Sequence, residues 1–101
     1  MTPKEISQMI EKEIGGDRSA TNLHGCDLKS CLIRPKKRKI RFSGGALKEV
    51  WIVLEEMPET GDGFKIFFDD ENGKFGLAGH AEPFAYACNS HDTFLAAFKS
   101  M

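Results

Sequence analysis

Cysteine and histidine are the residue types in this chain that could bind a metal ion or act in nucleophilic chemistry. Cys26 and Cys31 lie five positions apart, and Cys88 and His91 form a second pair near the C-terminus. Because zinc takes four nitrogen or sulfur ligands in a tetrahedron, these four residues are the candidate metal ligands. Their spacing matches the close Cys-x2-4-Cys pairs of structural zinc sites poorly, and free cysteine is commonly a small buried hydrophobe. The sequence therefore favours the absence of a metal, and we expect no cofactor.

A cysteine nucleophile with a histidine base is the enzymatic interpretation of the same residues. Cys88 lies just before the predicted C-terminal helix, a position that favours reactive thiols, and His91 follows three residues later. The surrounding sequence contains no nucleophile turn and no oxyanion-hole loop. A thiol enzyme or metal-binding protein is therefore an alternative, and a non-catalytic protein is favoured.

Charge is distributed unevenly along the chain. The formal net charge is −1, yet residues 1–47 carry a net charge of +5 and residues 48–101 carry −6. Charges placed in this way could steer a partner or drive self-association. They could equally pair across two antiparallel strands, and this second interpretation is slightly favoured if residues 37–42 lie beside residues 50–55.

The basic residues define a patch that could contact a polyanion. The patch consists of Lys36, Lys37, Arg38, Lys39 and Arg41. Lysine and arginine on one strand could neutralise several phosphates and so bind nucleic acid. The pI is near 6.3, however, and no aromatic residues interleave with these charges to stack on bases. Nucleic acid is thus an alternative partner that is not favoured.

The acidic residues define a candidate protein-interaction face. They are Glu55, Glu56, Glu59, Asp62, Asp69, Asp70 and Glu71. Such a face could dock on a basic surface of another protein and mask it, as an inhibitor of a nucleic-acid-binding protein would.

Strand patterns dominate the middle of the chain and supply the elements that must position these charges. The predicted strands are 28–34, 39–42, 50–55, 64–69, 75–77 and a short last one at 84–88. Pro35 and a turn at 36–38 are predicted to separate the first two. Since strands that are apolar on both sides need cover on both, Trp51, Val53 and Phe67 are predicted to share a second apolar face.

Helices are predicted at the two ends of the chain. Thr2 and Glu5 have the spacing of a capping box, Pro3 fits the first helical position, and Gly15 ends the helix. Near the C-terminus, Asn89, Ser90 or Asp92 is predicted to cap a helix whose apolar stripe contains Phe94, Leu95 and Phe98. This helix is expected to cover the face of Trp51 and Phe67.

These patterns predict a single α+β domain spanning residues 1–101. Its fold class is an antiparallel β-sheet, a meander of about five strands, with the N-terminal and C-terminal helices packed on it. The chain has no apolar run near the roughly 20 residues that cross a bilayer, and its N-terminal segment lacks the apolar region of a signal peptide. Three cysteines, an odd number, argue against a disulfide framework. We expect a cytoplasmic protein without a membrane partner.

The sequence favours a small non-catalytic protein-binding or accessory module. It is expected to act through its charge-polarised surface, on a protein partner or by self-association as a homodimer. The alternatives are a nucleic-acid-binding protein that uses the basic strand 34–41 and a Cys/His metal-binding or thiol enzyme.

Overall fold

The computed structural model describes residues 1–15 and 27–101 of the chain. It confirms the predicted class, an antiparallel meander of five strands with an N-terminal and a C-terminal helix packed on it. The elements in these residues are α1 (Pro3–Ile14), α2 (Leu28–Cys31), β1 (Leu32–Arg41), a single 3-10 turn (Ser43–Gly45), β2 (Leu47–Glu55), β3 (Lys65–Asp69), β4 (Lys74–Gly79), β5 (Tyr86–Ala87) and α3 (Phe94–Lys99). None of these helices is long and apolar enough to cross a membrane.

Helix α1 forms as its sequence predicts. The hydroxyl of Thr2 accepts a hydrogen bond from the Glu5 amide at 3.2 Å, and the Glu5 carboxylate accepts one from the Thr2 amide at 2.9 Å. This reciprocal capping satisfies two backbone donors that the helix cannot pair. Gly15 ends the helix with a φ of 63°, a conformation that costs glycine little.

Strand β1 is one continuous strand, and the predicted break at Pro35 and the turn at 36–38 are wrong. The pairing of β1 with β2 shifts register between Leu32 and Lys36, so Pro35 lies at an irregularity of the ladder. Proline lacks an amide hydrogen and is tolerated in strands at such places. From Lys36 to Arg41 the strand pairs regularly with β2 in the antiparallel sense, but residues 37–41 lie opposite 47–51 and not opposite 50–55.

The segment before β1 is helical, although its sequence predicts the start of a strand. The side chain of Asp27 caps α2 by accepting a hydrogen bond from the Ser30 amide at 2.7 Å. Leu28 and Cys31, three positions apart, are the buried residues of this single turn. Residues three positions apart lie on the same face of a helix, but a single four-residue turn is too short for its sequence pattern to be distinguished from the alternation of a strand.

The sheet has two apolar faces, and each belongs to a different core. The outer core lies between the sheet and the helices and contains Ile6, Ile10, Leu28, Cys31, Trp51, Val53, Leu54, Ile66, Phe68, Phe75, Leu77, Phe94, Ala97, Phe98 and Met101. The inner core lies inside the curved sheet and contains Ile40, Val50, Ile52, Phe67 and Ala78. Trp51 and Val53 therefore belong to the same core as the helix residues, but Phe67 lies on the opposite face, so the predicted shared face of the three is wrong.

The register between β2 and β3 explains the position of Phe67. Trp51 lies opposite Phe68, and Ile52 lies opposite Phe67. Because paired residues share a face, Phe67 joins Ile52 in the inner core. A register shift between Ile52 and Leu54 also moves Leu54 into the outer core beside Val53, although strict alternation would put it with Ile52.

Strand β5 closes the sheet into a barrel with little pairing. It lies against β4 through Ala78 with Ala87 and Gly79 with Tyr86, and against β1 through the single pair Arg41 with Tyr86. The predicted strand 84–88 is thus shorter than its alternation indicates. A barrel closed by two residues leaves most of one edge of β1 without a strand neighbour among the described residues.

The C-terminal helix is capped by Thr93 instead of the three predicted residues. The hydroxyl of Thr93 accepts a hydrogen bond from the Ala96 amide at 3.1 Å. The carboxylate of Glu13, at the end of α1, also accepts hydrogen bonds from the amides of Phe94 and Leu95 at 2.9 and 3.2 Å. The two terminal helices are therefore joined through a side chain that satisfies free backbone donors.

Candidate functional site

Two of the seven predicted acidic interaction residues are buried. Glu55 is 2% exposed and lies 2.7 Å from the Lys36 ammonium group, while Asp69 is 4% exposed and lies 2.7 Å from that of Lys48. Asp69 also accepts hydrogen bonds from the Asn72 side chain at 2.9 Å and from the Glu71 amide at 3.1 Å. These two carboxylates hold the sheet and its turn together, and they contribute almost nothing to the molecular surface.

The ionisation of Asp69 reflects opposing influences. Burial alone would raise the pKa of this carboxyl, but hydrogen bonds from Lys48 and Asn72 and the positive charge of Lys48 together lower its pKa below the ordinary 3.8. The partner responds in the opposite sense, since the hydrogen bond and charge of Asp69 raise the pKa of Lys48 above 10.5 against the effect of burial.

The other acidic residues lie around the ends of the strands. Glu56 accepts a hydrogen bond from the Phe64 amide at 3.1 Å, and Asp70 accepts one from the Trp51 indole at 3.1 Å. The remaining acidic positions are exposed, namely Glu59, Asp62 and Glu71. An acidic protein-interaction face stays a prediction, with these five residues as its surface.

The basic patch is divided between the two faces of β1. Side chains alternate along a strand, so Lys36 and Arg38 share the inner face with Ile40, and Lys37, Lys39 and Arg41 share the outer face. The outer assignment agrees with the position of Lys37, whose ammonium group lies 5.2 Å from the centre of the Trp51 ring. The sequence patch thus corresponds to two surfaces, and Lys39, at the edge of the sheet, also borders the inner one.

The outer surface has charges that are only partly paired. Lys37 lies 3.6 Å from Glu49, an exposed contact that contributes little stability. Arg41 donates a hydrogen bond to the carbonyl oxygen of Gly45 at 3.3 Å, and Lys39 makes no ion pair within the described part of the chain. At least two cations of this face are therefore available to a partner.

An exposed row of three side chains crosses the end of this face. Arg41 lies opposite Leu47 of β2 and beside Tyr86 of β5, and paired residues point to the same side of a sheet. Leu47 is 44% exposed and Tyr86 is 45% exposed. We name Lys37, Lys39, Arg41, Leu47 and Tyr86 the outer β1 surface.

Glycine allows the tyrosine of this row to lie flat against the sheet. Gly79 is the partner of Tyr86 in β4, and a Cβ atom at position 79 would overlap with the tyrosine ring. The close approach holds the ring over Gly79, and the side chain stays 45% exposed.

The inner residues of the basic patch line a pocket at the mouth of the barrel. The pocket has a volume of about 250 Å³ and lies between β1 and the loop that connects β4 to β5. Its walls include Lys36, Arg38, Ile40, Ile52, Glu55, Lys65, His80, Glu82 and Phe84. Barrel mouths are common positions for small-molecule sites.

The candidate metal ligands do not form a cluster in the part of the chain that the structure describes. Cys31 is buried in the outer core, where its thiol lies 3.8 Å from the carbonyl oxygen of Glu56, whereas Cys88 is exposed. No group of three or more His, Cys, Asp or Glu side chains in residues 1–15 and 27–101 is placed to hold a metal ion. Cys26 lies outside the described residues.

His91 has a structural position beside β4. Its backbone exchanges two hydrogen bonds with that of Phe75, and the Nε2 atom of its ring is buried without a hydrogen-bond partner among the described residues. The bridge to Phe75 extends the pairing of β4 beyond the two residues of β5.

No protein-family model, curated protein or solved structure matches this chain.

Sequence reasoning found the cations of both surfaces but missed the residues that accompany them. Leu47 and Tyr86 become neighbours of Arg41 only through strand register. Tyr86 carried one usable signal, since it alternates with Ala85 and Ala87 in a short strand. The pocket at the barrel mouth gave no such signal, because Lys36 and Arg38, Lys65, and the pair His80 and Phe84 come from three separate parts of the chain.

Proposed function

We propose that this protein is a small non-catalytic binding module of the cytoplasm that recognises an acidic segment of a partner protein through the outer β1 surface. The observation that carries the proposal is the exposed row Leu47, Arg41 and Tyr86, which continues into the cations Lys37 and Lys39. Tyrosine and arginine are the residue types enriched at protein interfaces and at their energetic centres.

Charge complementarity supports an acidic partner. The outer β1 surface has three cations, and the only carboxylate paired with it in the described structure is that of Glu49. Carboxylates of a partner would bind Arg41 through charge-assisted hydrogen bonds, while Leu47 and Tyr86 would bury apolar area beside them. Because this surface is small, we expect weak, transient binding.

The composition of the same surface supports a protein over a nucleic acid. Single-stranded nucleic acid is held by several aromatic rings on which successive bases stack. The outer β1 surface has one exposed ring, Tyr86, since Trp51 is 6% exposed and lies beneath Lys37. A single stacking position beside an exposed leucine suits a peptide better.

Selection of random 12-residue peptides on the immobilised protein tests the proposal. We expect enrichment of peptides in which Asp or Glu lies next to an apolar residue. In an NMR titration with one enriched peptide, the amide signals of residues 37–41 and of Tyr86 should shift most. The double variant Lys39→Gln, Arg41→Gln should weaken binding at least fivefold.

The matched control is the double variant Lys29→Gln, Lys99→Gln, which removes the same charge from two exposed positions on α2 and α3. It should bind the peptide like the native protein. Enrichment of peptides without acidic residues, or equal losses in both double variants, would overturn the proposal. Tighter binding of a 20-nucleotide single strand than of any peptide, lost in the Lys39→Gln, Arg41→Gln variant, would replace it with the nucleic-acid alternative.

A further inference from the structure

The pocket at the barrel mouth exists because the barrel is closed by only two residues. In the described part of the chain, β5 pairs with β1 only at Arg41, so the edge of β1 opposite β2 has no strand beside it from Lys36 to Lys39. The loop of residues 80–85 faces this stretch across the gap and forms the other wall of the pocket. At this edge the carbonyl oxygen of Lys37 accepts a hydrogen bond from the side chain of Arg38 at 2.7 Å.

The deeper wall of the pocket is apolar. Ile40 and Ile52 are each 1% exposed and belong to the inner core, and Phe84 and Ala85 lie across from them. A ligand group that contacted this wall would lose its contacts with water, and the wall would offer it no hydrogen bonds in return. The wall therefore favours an apolar body.

The rim of the pocket is positively charged. Four basic side chains line it, Lys36, Arg38, Lys39 and Lys65, against the carboxylates of Glu55 and Glu82, which leaves two net positive charges when His80 is neutral. Two of the cations already have a protein partner. Lys36 lies 2.7 Å from Glu55, and Lys65 donates to the carbonyl oxygen of Gly61.

Arg38 is the cation best placed to bind a ligand. It lies on the inner face of β1, its guanidinium donates from Nη1 to the Lys37 carbonyl oxygen, and it forms no ion pair within the described residues. A guanidinium has five N–H donors, so most of them are left for an anion. The existing hydrogen bond also orients the side chain before a ligand arrives, which reduces the entropy lost on binding.

We propose that this pocket binds a small organic anion, with its carboxylate or phosphate group on Arg38 and an apolar body against Ile40, Ile52 and Phe84. The guanidinium fork matches the geometry of both anionic groups. Pockets for drug-sized ligands usually measure about 300–1,000 Å³, so a volume of about 250 Å³ suits a smaller molecule. The site opens mainly on the opposite face of β1 from the outer β1 surface. Lys39 borders both, whereas Arg38 belongs to the pocket alone and so distinguishes this binding from the proposed peptide binding.

NMR titrations of the full chain with four probes test this inference. Benzoate and phenyl phosphate combine an anionic group with an aromatic ring, benzamide has the ring without the charge, and inorganic phosphate has the charge without the ring. We expect saturable shifts of the Ile40, Ile52 and Phe84 signals with benzoate or with phenyl phosphate. The probe that binds more tightly shows whether the site prefers a carboxylate or a phosphate group, and either preference supports the site.

The neutral probe benzamide and inorganic phosphate should each bind at least tenfold more weakly than the tighter anion. Benzamide binding as tightly would overturn the role of charge, and inorganic phosphate binding as tightly would overturn the apolar body. The absence of saturable shifts at these residues with both organic anions would overturn the site itself.

The variant Arg38→Gln should weaken binding of whichever organic anion binds the native protein more tightly, by at least tenfold. Its matched control is Arg34→Gln, an exposed arginine of the same strand that does not line the pocket, which should bind like the native protein. A dispersed amide spectrum of each variant shows that it is folded. Equal effects of the two substitutions would show a general charge effect and overturn the assignment of Arg38.

Discussion

Asp69 is a buried carboxylate whose ionisation contributes to the stability of the fold. Burial alone would raise its pKa, but Lys48 and Asn72 hold the pKa below 3.8. A lowered pKa in the folded state means that this carboxylate stabilises the fold above about pH 3.8, and that the stabilisation is lost as the pH falls through the folded pKa. The pKa of Lys48 is raised above 10.5, so its contribution is complete below that pH and is lost as the pH rises further.

The substitution Asp69→Asn tests this assignment. We expect it to lower the free energy of unfolding at pH 7 by about 1–3 kcal/mol, because it removes a charge-assisted hydrogen bond to a half-buried partner. The difference from the native protein should shrink as the pH falls below 3.8. Asp92, whose pKa the hydrogen bond and charge of Lys74 also lower, is common to both proteins and cancels in the difference.

Urea unfolding from pH 2.5 to 8 measures this difference. The control is Glu59→Gln, which removes one negative charge at an exposed position and should change the free energy of unfolding little at any pH. A loss in Asp69→Asn that stays constant down to pH 2.5 would show that the carboxylate charge is not the stabilising feature.

Gly76 is required by the way Phe67 fills the inner core. The two residues are partners across β3 and β4, and a Cβ atom at position 76 would overlap with the Phe67 ring and with the carbonyl oxygen of Asn89. We expect Gly76→Ala to lower the free energy of unfolding by about 1–3 kcal/mol through overpacking. In the background of Phe67→Leu the same change should cost less, and urea unfolding of the four proteins measures the coupling. Strict additivity of the two losses would contradict the contact.

At the scale of the elements, sequence patterns located the strands of the meander but could not fix which face each one presents. The apolar runs at 50–55 and 64–69 correspond closely to β2 and β3. Both runs are apolar on both sides, so their sequences do not say which residues lie inside the barrel. The register that puts Phe67 beside Ile52 depends on contacts between strands, and a shift of one residue would reverse it.

Strand β1 shows how a local signal can mislead. Proline is a strong interruption in most strands, and the sequence on either side of Pro35 reads as two separate strands. Tertiary pairing overrides that signal, because the register shift before Lys36 removes the need for an amide hydrogen at position 35. Helix α1 shows the opposite case, since its capping box and terminal glycine are local features and its sequence predicts both ends correctly.

The candidate surfaces follow the same division. The cations of β1 are contiguous in sequence, so their presence could be predicted. Their separation into an outer and an inner set could not, because it depends on β1 being continuous, whereas the sequence predicted a turn at 36–38. Tyr86 lies 45 positions after Arg41, and His80 and Phe84 reach the pocket only because β5 returns to β1. Contacts between residues so far apart in sequence form only when the barrel closes, so the sequence pattern alone does not predict them.

At the scale of the whole molecule, the two ends of the chain stabilise each other. Ile6 and Ile10 of α1 belong to the same outer core as Phe94 and Phe98 of α3. The Glu13 carboxylate adds a polar link, since it accepts hydrogen bonds from two amides at the start of α3. A helix of six residues gains little from its own hydrogen bonds and depends on such contacts. The terminal helices should therefore unfold together with the sheet.

The substitution Glu13→Ala tests this coupling. It removes the acceptor of two backbone donors and a negative charge at a helix N-terminus, so we expect a loss of about 1–2 kcal/mol in the free energy of unfolding. Thermal unfolding followed by far-UV circular dichroism and by Trp51 fluorescence should still give one coincident transition, because the indole lies in the shared outer core. Amide hydrogen exchange at Phe94 and Leu95 should become faster than in Glu59→Ala, the exposed control. A helical transition that precedes the change in Trp51 fluorescence would instead show that α1 and α3 melt independently of the barrel, and Glu13 would then be a local cap with no influence on the sheet.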